Sequence, residues 1–220
     1  MLQQQYIHRI SRVVLLGVFI FGTGLSPLFA GTNDVIQFHI TSQSQLKLTG
    51  NSTLHPYAFQ SENVDGQLTV NANEFFHHPL KAVADNSGGK VVIPVGDLDS
   101  GEHGLNKNMQ KTMKAGKFPE IVFVLDSLTR VTTTKQPEEW TKFQAYGHLT
   151  ISGQTQHVQL PIEGKQIADE ILQFKGEKTL LMTDFGVNPP TLMFGAIKTD
   201  NQIKVSFDIT VESNRNLSMK

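Results

Sequence analysis

The chain has 220 residues, of which 39% are hydrophobic, so length and composition exclude a largely disordered chain. Its 19 Lys and Arg side chains against 20 Asp and Glu give a net charge of −1, which excludes the broad basic surface that a nucleic-acid partner requires. The absence of cysteine excludes disulfides, thiol catalysis and zinc sites of the cysteine type.

The first thirty residues have the pattern of a secretory signal peptide. Arg9 and Arg12 precede an apolar run, and the small residue Ala30 follows at a position suited to cleavage. Glycines, a serine and a proline interrupt the second half of the stretch, which disfavours the alternative of an uncleaved membrane anchor. We therefore expect residues 1–30 to be removed, leaving a periplasmic or secreted domain over 31–213 and a polar tail over 214–220.

From residue 35 onward, apolar residues alternate with polar ones, as in strands with one buried and one solvated face. The alternation is visible at 36–40, 64–72 and 121–125, and it is clearest at 203–211. Such a pattern is typical of an antiparallel sheet that closes into a barrel or packs as a sandwich. The sequence therefore predicts an all-β protein.

One segment has helical periodicity instead. Leu105, Met109 and Met113 recur every four residues, which predicts a short amphipathic helix over about 104–115 that ends at Gly116. The opposite side of this helix carries Lys107, Lys111 and Lys114. A solvated face is the ordinary explanation of such a basic side, and the alternative is a transient contact with an anionic membrane surface.

A β-hairpin over 145–162 can be registered from the sequence. A turn centred on Gly153 and Gln154 places Leu149 opposite Val158. Six small or apolar residues then share one face, namely Ala145, Gly147, Leu149, Val158, Leu160 and Ile162.

The polar face of the same hairpin carries His148 and His157, which are close enough along a diagonal to share a metal ion. The remaining residues of that face are Gln and Thr, so the hairpin lacks a third metal ligand. The sequence therefore predicts no metal site.

Short segments spread over residues 35–211 resemble the bacterial YceI-like family, through their order and spacing rather than through any single motif. These segments are Ser44–Gly50, Ser52–His55, Val91–Val95, Leu98, Ser100–Gly101, Leu105–Lys114, Phe118–Phe123, Gly147–Gly153, Met182–Val187, Pro189–Pro190 and Gly195–Lys198. The resemblance implies an exported protein that binds a lipid or polyisoprenoid inside an antiparallel, lipocalin-like β-barrel of about eight strands. It implies no catalytic residues and no cofactor.

An interior lined by aliphatic and phenylalanine side chains would admit an apolar tail. Alternation assigns five candidate residues to the inner face, namely Phe123, Leu149, Val158, Leu160 and Phe207. The irregular, proline-containing segment 184–195 adds three that could line or cover the mouth, namely Phe185, Pro190 and Phe194. We expect these residues to contact a lipid or isoprenoid.

Two alternatives remain open. A barrel filled by its own side chains would be a structural or stress-protective envelope protein without a ligand. An enzyme would need polar groups that converge inward, whereas alternation places His and Asp on the solvated face.

Overall fold

A computed structural model of the chain describes residues 35–71, 88–131 and 139–214. The predicted signal peptide, and residues 215–220 of the predicted tail, lie outside the described residues. Within the described ranges, no helix is both long enough and apolar enough to cross a membrane.

The described residues form antiparallel strands, one α-helix and three short 3₁₀ turns. The strands are β1 (Val35–Ile40), β2 (Gln45–Ser52), β3 (Tyr57–Ser61), β4 (Asp65–Asn71), β5 (Gly88–Pro94), β6 (Glu120–Arg130), β7 (Thr141–Ile151), β8 (Gln154–Ala168), β9 (Ile171–Leu181), β10 (Thr191–Leu192) and β11 (Ile197–Ser213). The helix α1 (His103–Thr112) lies between β5 and β6, and the 3₁₀ turns are Val95–Asp97, Met182–Phe185 and Met193–Gly195.

Eight of the strands close into a barrel in the order β1-β4-β5-β6-β7-β8-β9-β11, and β11 pairs with β1 to complete the circle. The closing pairs include Phe38 with Ser213 and Ile40 with Val211. Closure removes the exposed strand edges that an open sheet would present. The predicted all-β, lipocalin-like barrel with one short helix is therefore confirmed.

The strands β2 and β3 extend the barrel wall. β2 pairs with the first part of β11, for example Leu48 with Val205, whereas β1 pairs with the last part. β3 lies beyond β2, and Gln60 and Asp99 exchange two backbone hydrogen bonds of 2.8 Å. The β2–β3 hairpin is therefore tied to the loop that leads into α1.

Opposite ends of the barrel differ in packing. At the end formed by β1 and the last residues of β11, the side chains of Phe38, Val70, Phe143 and Leu172 are almost completely buried and fill the interior. The other end is covered by α1, because the Ser152 hydroxyl in the β7–β8 turn donates a 2.9 Å hydrogen bond to the carbonyl of Met113. We call these the packed end and the helix end.

The helix ends earlier than predicted, and a different residue from the predicted one adopts the left-handed conformation after it. α1 stops at Thr112, and Lys114, not Gly116, adopts the left-handed conformation with φ 56°. The backbone N–H of Ala115 then bonds to the carbonyl of Gln110, which satisfies the end of the helix in the manner of a C-terminal cap. The amphipathic character is confirmed, since Met109 is buried and Lys107 is exposed.

The predicted register of the β7–β8 hairpin is wrong by two residues. Val158 lies opposite Gly147, and Leu149 lies opposite Gln156. The two-residue turn is Ser152-Gly153, with φ 50° and 77°, the conformation of a type I′ turn. Because the shift is an even number of residues, the predicted face of the hairpin is nevertheless preserved.

Candidate ligand-binding cavity

The barrel encloses a cavity of about 480 Å³ between the packed end and the helix end. Every strand of the barrel contributes to its wall, mostly with aliphatic and phenylalanine side chains. A pocket of this volume and character is typical of sites that bind small apolar ligands.

Phenylalanine rings that line the cavity lie over glycines of neighbouring strands. A Cβ atom added at Gly147 would fall 2.6 Å from two ring atoms of Phe123, and one added at Gly176 would fall 2.7 Å from the ring of Phe207. These distances are far below van der Waals contact, so the rings occupy the space that a side chain would need. The glycines thereby fix where the aromatic wall of the cavity lies.

The apolar face of α1 closes the helix end of the cavity with Leu105, Met109 and Met113. The start of the helix is anchored through Asn106, whose side-chain amide donates to Asp99 while its oxygen accepts from the N–H of Ser100 at 2.9 Å. Hydrogen bonds from Asn106 and from the backbone of Gly101 hold the pKa of Asp99 below its ordinary value. The helix therefore covers the cavity from a fixed position.

One inward position of β9 carries a charged residue. The inner face of this strand runs Leu172, Phe174, Gly176, Lys178 and Leu180, and Lys178 lines the cavity in a partly buried position. It makes no hydrogen bond or ion pair with any residue that the structure describes. An ammonium group in an apolar wall is the type of polar feature that orients a ligand.

Tyr57 lies at the wall between the cavity and the solvent. Its ring covers Gly50 of β2, and its hydroxyl is buried without a hydrogen-bond partner among the described residues. Burial, followed by the nearby charge of Asp200, raises the pKa of Tyr57 to about 12. The hydroxyl therefore keeps its proton to a higher pH than an ordinary tyrosine does.

Comparison with known families identifies the domain. The model of the YceI-like domain family matches residues 36–211, which covers the whole described barrel except its outermost residues. The chain belongs to the YceI-like family. No curated protein sequence matches this YceI-like chain.

Solved structures similar to this YceI-like protein share its fold at low sequence identity. BcnA of Burkholderia cenocepacia is 17% identical, with a TM-score of 0.61 over 78% of this chain and 98% of its own. A polyisoprenoid-binding domain from Saccharophagus degradans, implicated in plant cell wall breakdown, is 10% identical, with a TM-score of 0.60 over 80% of this chain and 98% of its own. At such identities the similarity establishes the fold alone.

The structure brings most of the predicted ligand-binding residues of this YceI-like domain to one cavity. Its wall includes Phe123, Leu149, Leu160, Phe185, Pro190 and Phe207. Val158 faces the same side of β8 as Leu160 but lies nearer to the turn and does not line the cavity. Phe194 is fully exposed to solvent, with φ 54°, and does not line the cavity, so its contact with a ligand stays a prediction.

Among the lining residues that were not predicted from the sequence of this YceI-like chain are the apolar side of α1 and Lys178. The apolar residues of α1 were predicted as a helix but not as part of a site. Lys178 follows the alternation of Leu172, Phe174 and Gly176, and that period of two was the signal that could have placed it in the cavity.

The histidines of the β7–β8 hairpin lie on the outer wall of the barrel, outside the cavity. His148 and His157 are directly opposite each other rather than diagonal. The prediction that no third metal ligand is present is wrong, because Asp126 of the adjacent strand β6 lies 2.9 Å from His148 Nδ1.

Proposed function

We propose that this YceI-like protein binds a lipid or isoprenoid with its apolar tail inside the barrel, and that it does so without catalysis. The observation that carries the proposal is the cavity of about 480 Å³ behind a wall of aliphatic and phenylalanine side chains. The similar domain from Saccharophagus degradans is a polyisoprenoid-binding domain, which supports the same ligand class here. A barrel filled by its own side chains would not leave such a space.

The energetics favour a long tail. Burying a CH₂ group contributes ~0.8 kcal/mol to the free energy of binding, so ten buried groups contribute about 8 kcal/mol. Loss of translational and rotational freedom opposes this by ~4–15 kcal/mol. We therefore infer that short apolar molecules bind weakly and that the ligand is an elongated chain.

Lys178 indicates the other end of the ligand. Because Lys178 lines the apolar cavity and its ammonium group has no partner among the described residues, a negatively charged head would satisfy it. The ligand class we propose is accordingly an amphiphile with an anionic head near Lys178 and its tail toward the packed end.

The polar residues of the β2–β3 turn that line the cavity support binding rather than chemistry. Ser52 and His55 both line the cavity and are of the types that form a nucleophile–base pair. The Ser52 hydroxyl instead donates to the backbone carbonyl of His55 at 2.8 Å, and His55 Nδ1 lies 2.7 Å from the carbonyl of Pro56. Both side chains serve the β2–β3 turn.

An exposed apolar tip, formed by the β2–β3 turn and the turn Met193–Gly195, supports transient contact with a membrane. The side chains of Leu54, Met193 and Phe194 are 65%, 72% and 113% exposed. The two loops that carry them are neighbours, because Thr53 exchanges hydrogen bonds with Lys198. We infer that this tip enters the membrane surface while the ligand is exchanged, and that an exported protein, cleaved near Ala30, does so in the periplasm or outside the cell.

The binding proposal is tested by filling the cavity. We expect Leu149→Trp to lower the affinity of delipidated protein for a fluorescent long-chain fatty acid by about tenfold, since the indole occupies ligand space. The matched control is Val124→Trp, which places the same side chain on the outer wall, where Val124 is 41% exposed. Equal affinities of the two variants, or no binding by the unmodified protein, would contradict the proposal.

A further inference from the structure

Three potential metal ligands meet on the outer wall of the barrel, one from each of three adjacent strands. Asp126 belongs to β6, His148 to β7 and His157 to β8. The two imidazole rings are directly opposite each other across the β7–β8 ladder, with centroids 3.8 Å apart. One ligand atom from each of the three side chains lies within 4.8 Å of the other two.

A β-bulge in β6 places the carboxylate of Asp126 beside the two histidines. The β6–β7 ladder pairs Leu125 with Gly147 and then Ser127 with Tyr146, so Asp126 is the extra residue. A bulge leaves one residue unpaired and changes the direction of its side chain. Here the result is a carboxylate oxygen 2.9 Å from His148 Nδ1. Since the third ligand comes from a strand outside the hairpin, the pattern of the hairpin alone could not reveal it.

The donor set selects a class of metal. Two imidazoles and one carboxylate suit zinc, nickel and copper ions, whereas calcium and magnesium prefer sites made only of oxygen atoms. Bond lengths of about 2.0–2.2 Å place the ligand atoms of a tetrahedral zinc site roughly 3.3 Å apart. The separations observed here, from 2.9 Å to within 4.8 Å, reach that geometry through small side-chain rotations.

The surroundings also suit a bound ion. Asp126 and His157 are exposed and His148 is partly buried, which leaves room for water as a further ligand. The backbones of all three residues are held in paired strands, so binding an ion costs little conformational entropy. None of the three side chains lines the apolar cavity.

We propose that Asp126, His148 and His157 form a site for a divalent transition-metal ion on the outer wall of the barrel. The ion would join β6, β7 and β8 through their side chains and would leave the cavity free. This site is independent of the lipid-binding proposal, and either can fail without the other.

The test uses untagged full-length protein with Zn²⁺ as the probe. We expect calorimetry to show one bound equivalent, and the thermal midpoint to rise with Zn²⁺ but not with Mg²⁺. His157→Ala and Asp126→Asn should each weaken Zn²⁺ binding about tenfold or more, because each removes one ligand. His39→Ala, at an exposed histidine on β1, is the matched control and should bind like the unmodified protein.

Two results would overturn the site. One is the absence of Zn²⁺ binding by the unmodified protein. The other is binding that survives unchanged in both His157→Ala and His148→Ala, which would place the ion elsewhere on the chain. Circular dichroism of each variant shows whether the barrel is intact, and His157→Gln replaces His157→Ala if the latter fails to fold.

Discussion

The ring of Phe123 occupies the position that a side chain at Gly147 would take. The two residues lie on β6 and β7, and two ring atoms of Phe123 are 2.6 Å from an ideal Cβ at Gly147. Because Phe123 also lines the cavity, the missing side chain on one strand sets the shape of the binding site on the other.

Gly147→Ala should therefore destabilise the protein by at least roughly 1–3 kcal/mol, since the added methyl group would meet both the backbone carbonyl oxygen of Val124 and the Phe123 ring, and both must move. Chemical unfolding measures this change. The matched control is Gly104→Ala in α1, where an added Cβ meets no atom within 4 Å. That substitution should stabilise the helix by about 0.5–1 kcal/mol, and equal effects of the two changes would show that the space over Gly147 is not filled.

Lys178→Met should lower the affinity for an anionic long-chain lipid about tenfold, because the only inward ammonium group of β9 is lost while the apolar volume is kept. The affinity for the neutral alcohol of the same chain length should not change. Lys107→Met, on the exposed side of α1, is the control for loss of charge. An equal loss for both ligands would assign Lys178 to packing instead of head recognition.

Tyr57→Phe should raise the free energy of unfolding by about 1 kcal/mol at neutral pH, because a buried hydroxyl without a partner among the described residues is removed. A second expectation concerns alkaline pH. The pKa of Tyr57 is raised from 10.0 to about 12 in the folded state, so the folded chain holds its proton more tightly. The free energy of unfolding does not depend on ionisation of this group below pH 10.0, and it falls as pH rises toward about 12, because the unfolded chain loses the proton first.

Denaturation of both proteins across that pH window checks the assignment. The unmodified protein should lose more stability between pH 10.0 and about 12 than Tyr57→Phe does. Parallel curves for the two proteins would show that the Tyr57 hydroxyl is not buried in solution.

Phe194→Ser should slow the transfer of bound lipid between the protein and vesicles without changing the affinity of the cavity. The side chain is fully exposed and does not line the cavity, so its apolar surface is free to enter a membrane. Val131→Ser removes another exposed apolar side chain, which is 63% exposed on a different loop, and serves as the control. Transfer rates that are equal for both variants would contradict the proposed membrane contact.

The fold was predictable where alternation is regular. The final strand shows five alternating inward residues over 203–211, and the structure places them on β11, which pairs with β9 on one side and with β1 and β2 on the other. β9 escaped because Gly176 and Lys178 occupy two of its inward positions and break the apolar pattern. Neither glycine nor lysine is typical of a core position in a sequence. In the structure, the ring of Phe207 fills the space over Gly176, and Lys178 lines the cavity.

The site was predictable only in part, for a physical reason. The alternation of apolar and polar residues assigns each residue to a face of the sheet, and it placed Phe123, Leu149 and Phe207 on the face that lines the cavity. It does not say how far along the barrel the cavity extends, so it could not show that Val158, on the predicted face, lies outside the cavity wall. Proximity across strands also depends on register and bulges, which is why Asp126 was not associated with the histidines.

The most direct test of the central claim is native mass spectrometry of untagged protein purified under gentle conditions from its own host. We predict a population whose mass exceeds that of the polypeptide by one long-chain anionic lipid, which organic extraction removes. Leu149→Trp should carry much less of the same lipid. A mass equal to that of the bare polypeptide, from protein that also fails to take up long-chain lipids after delipidation, would contradict the account.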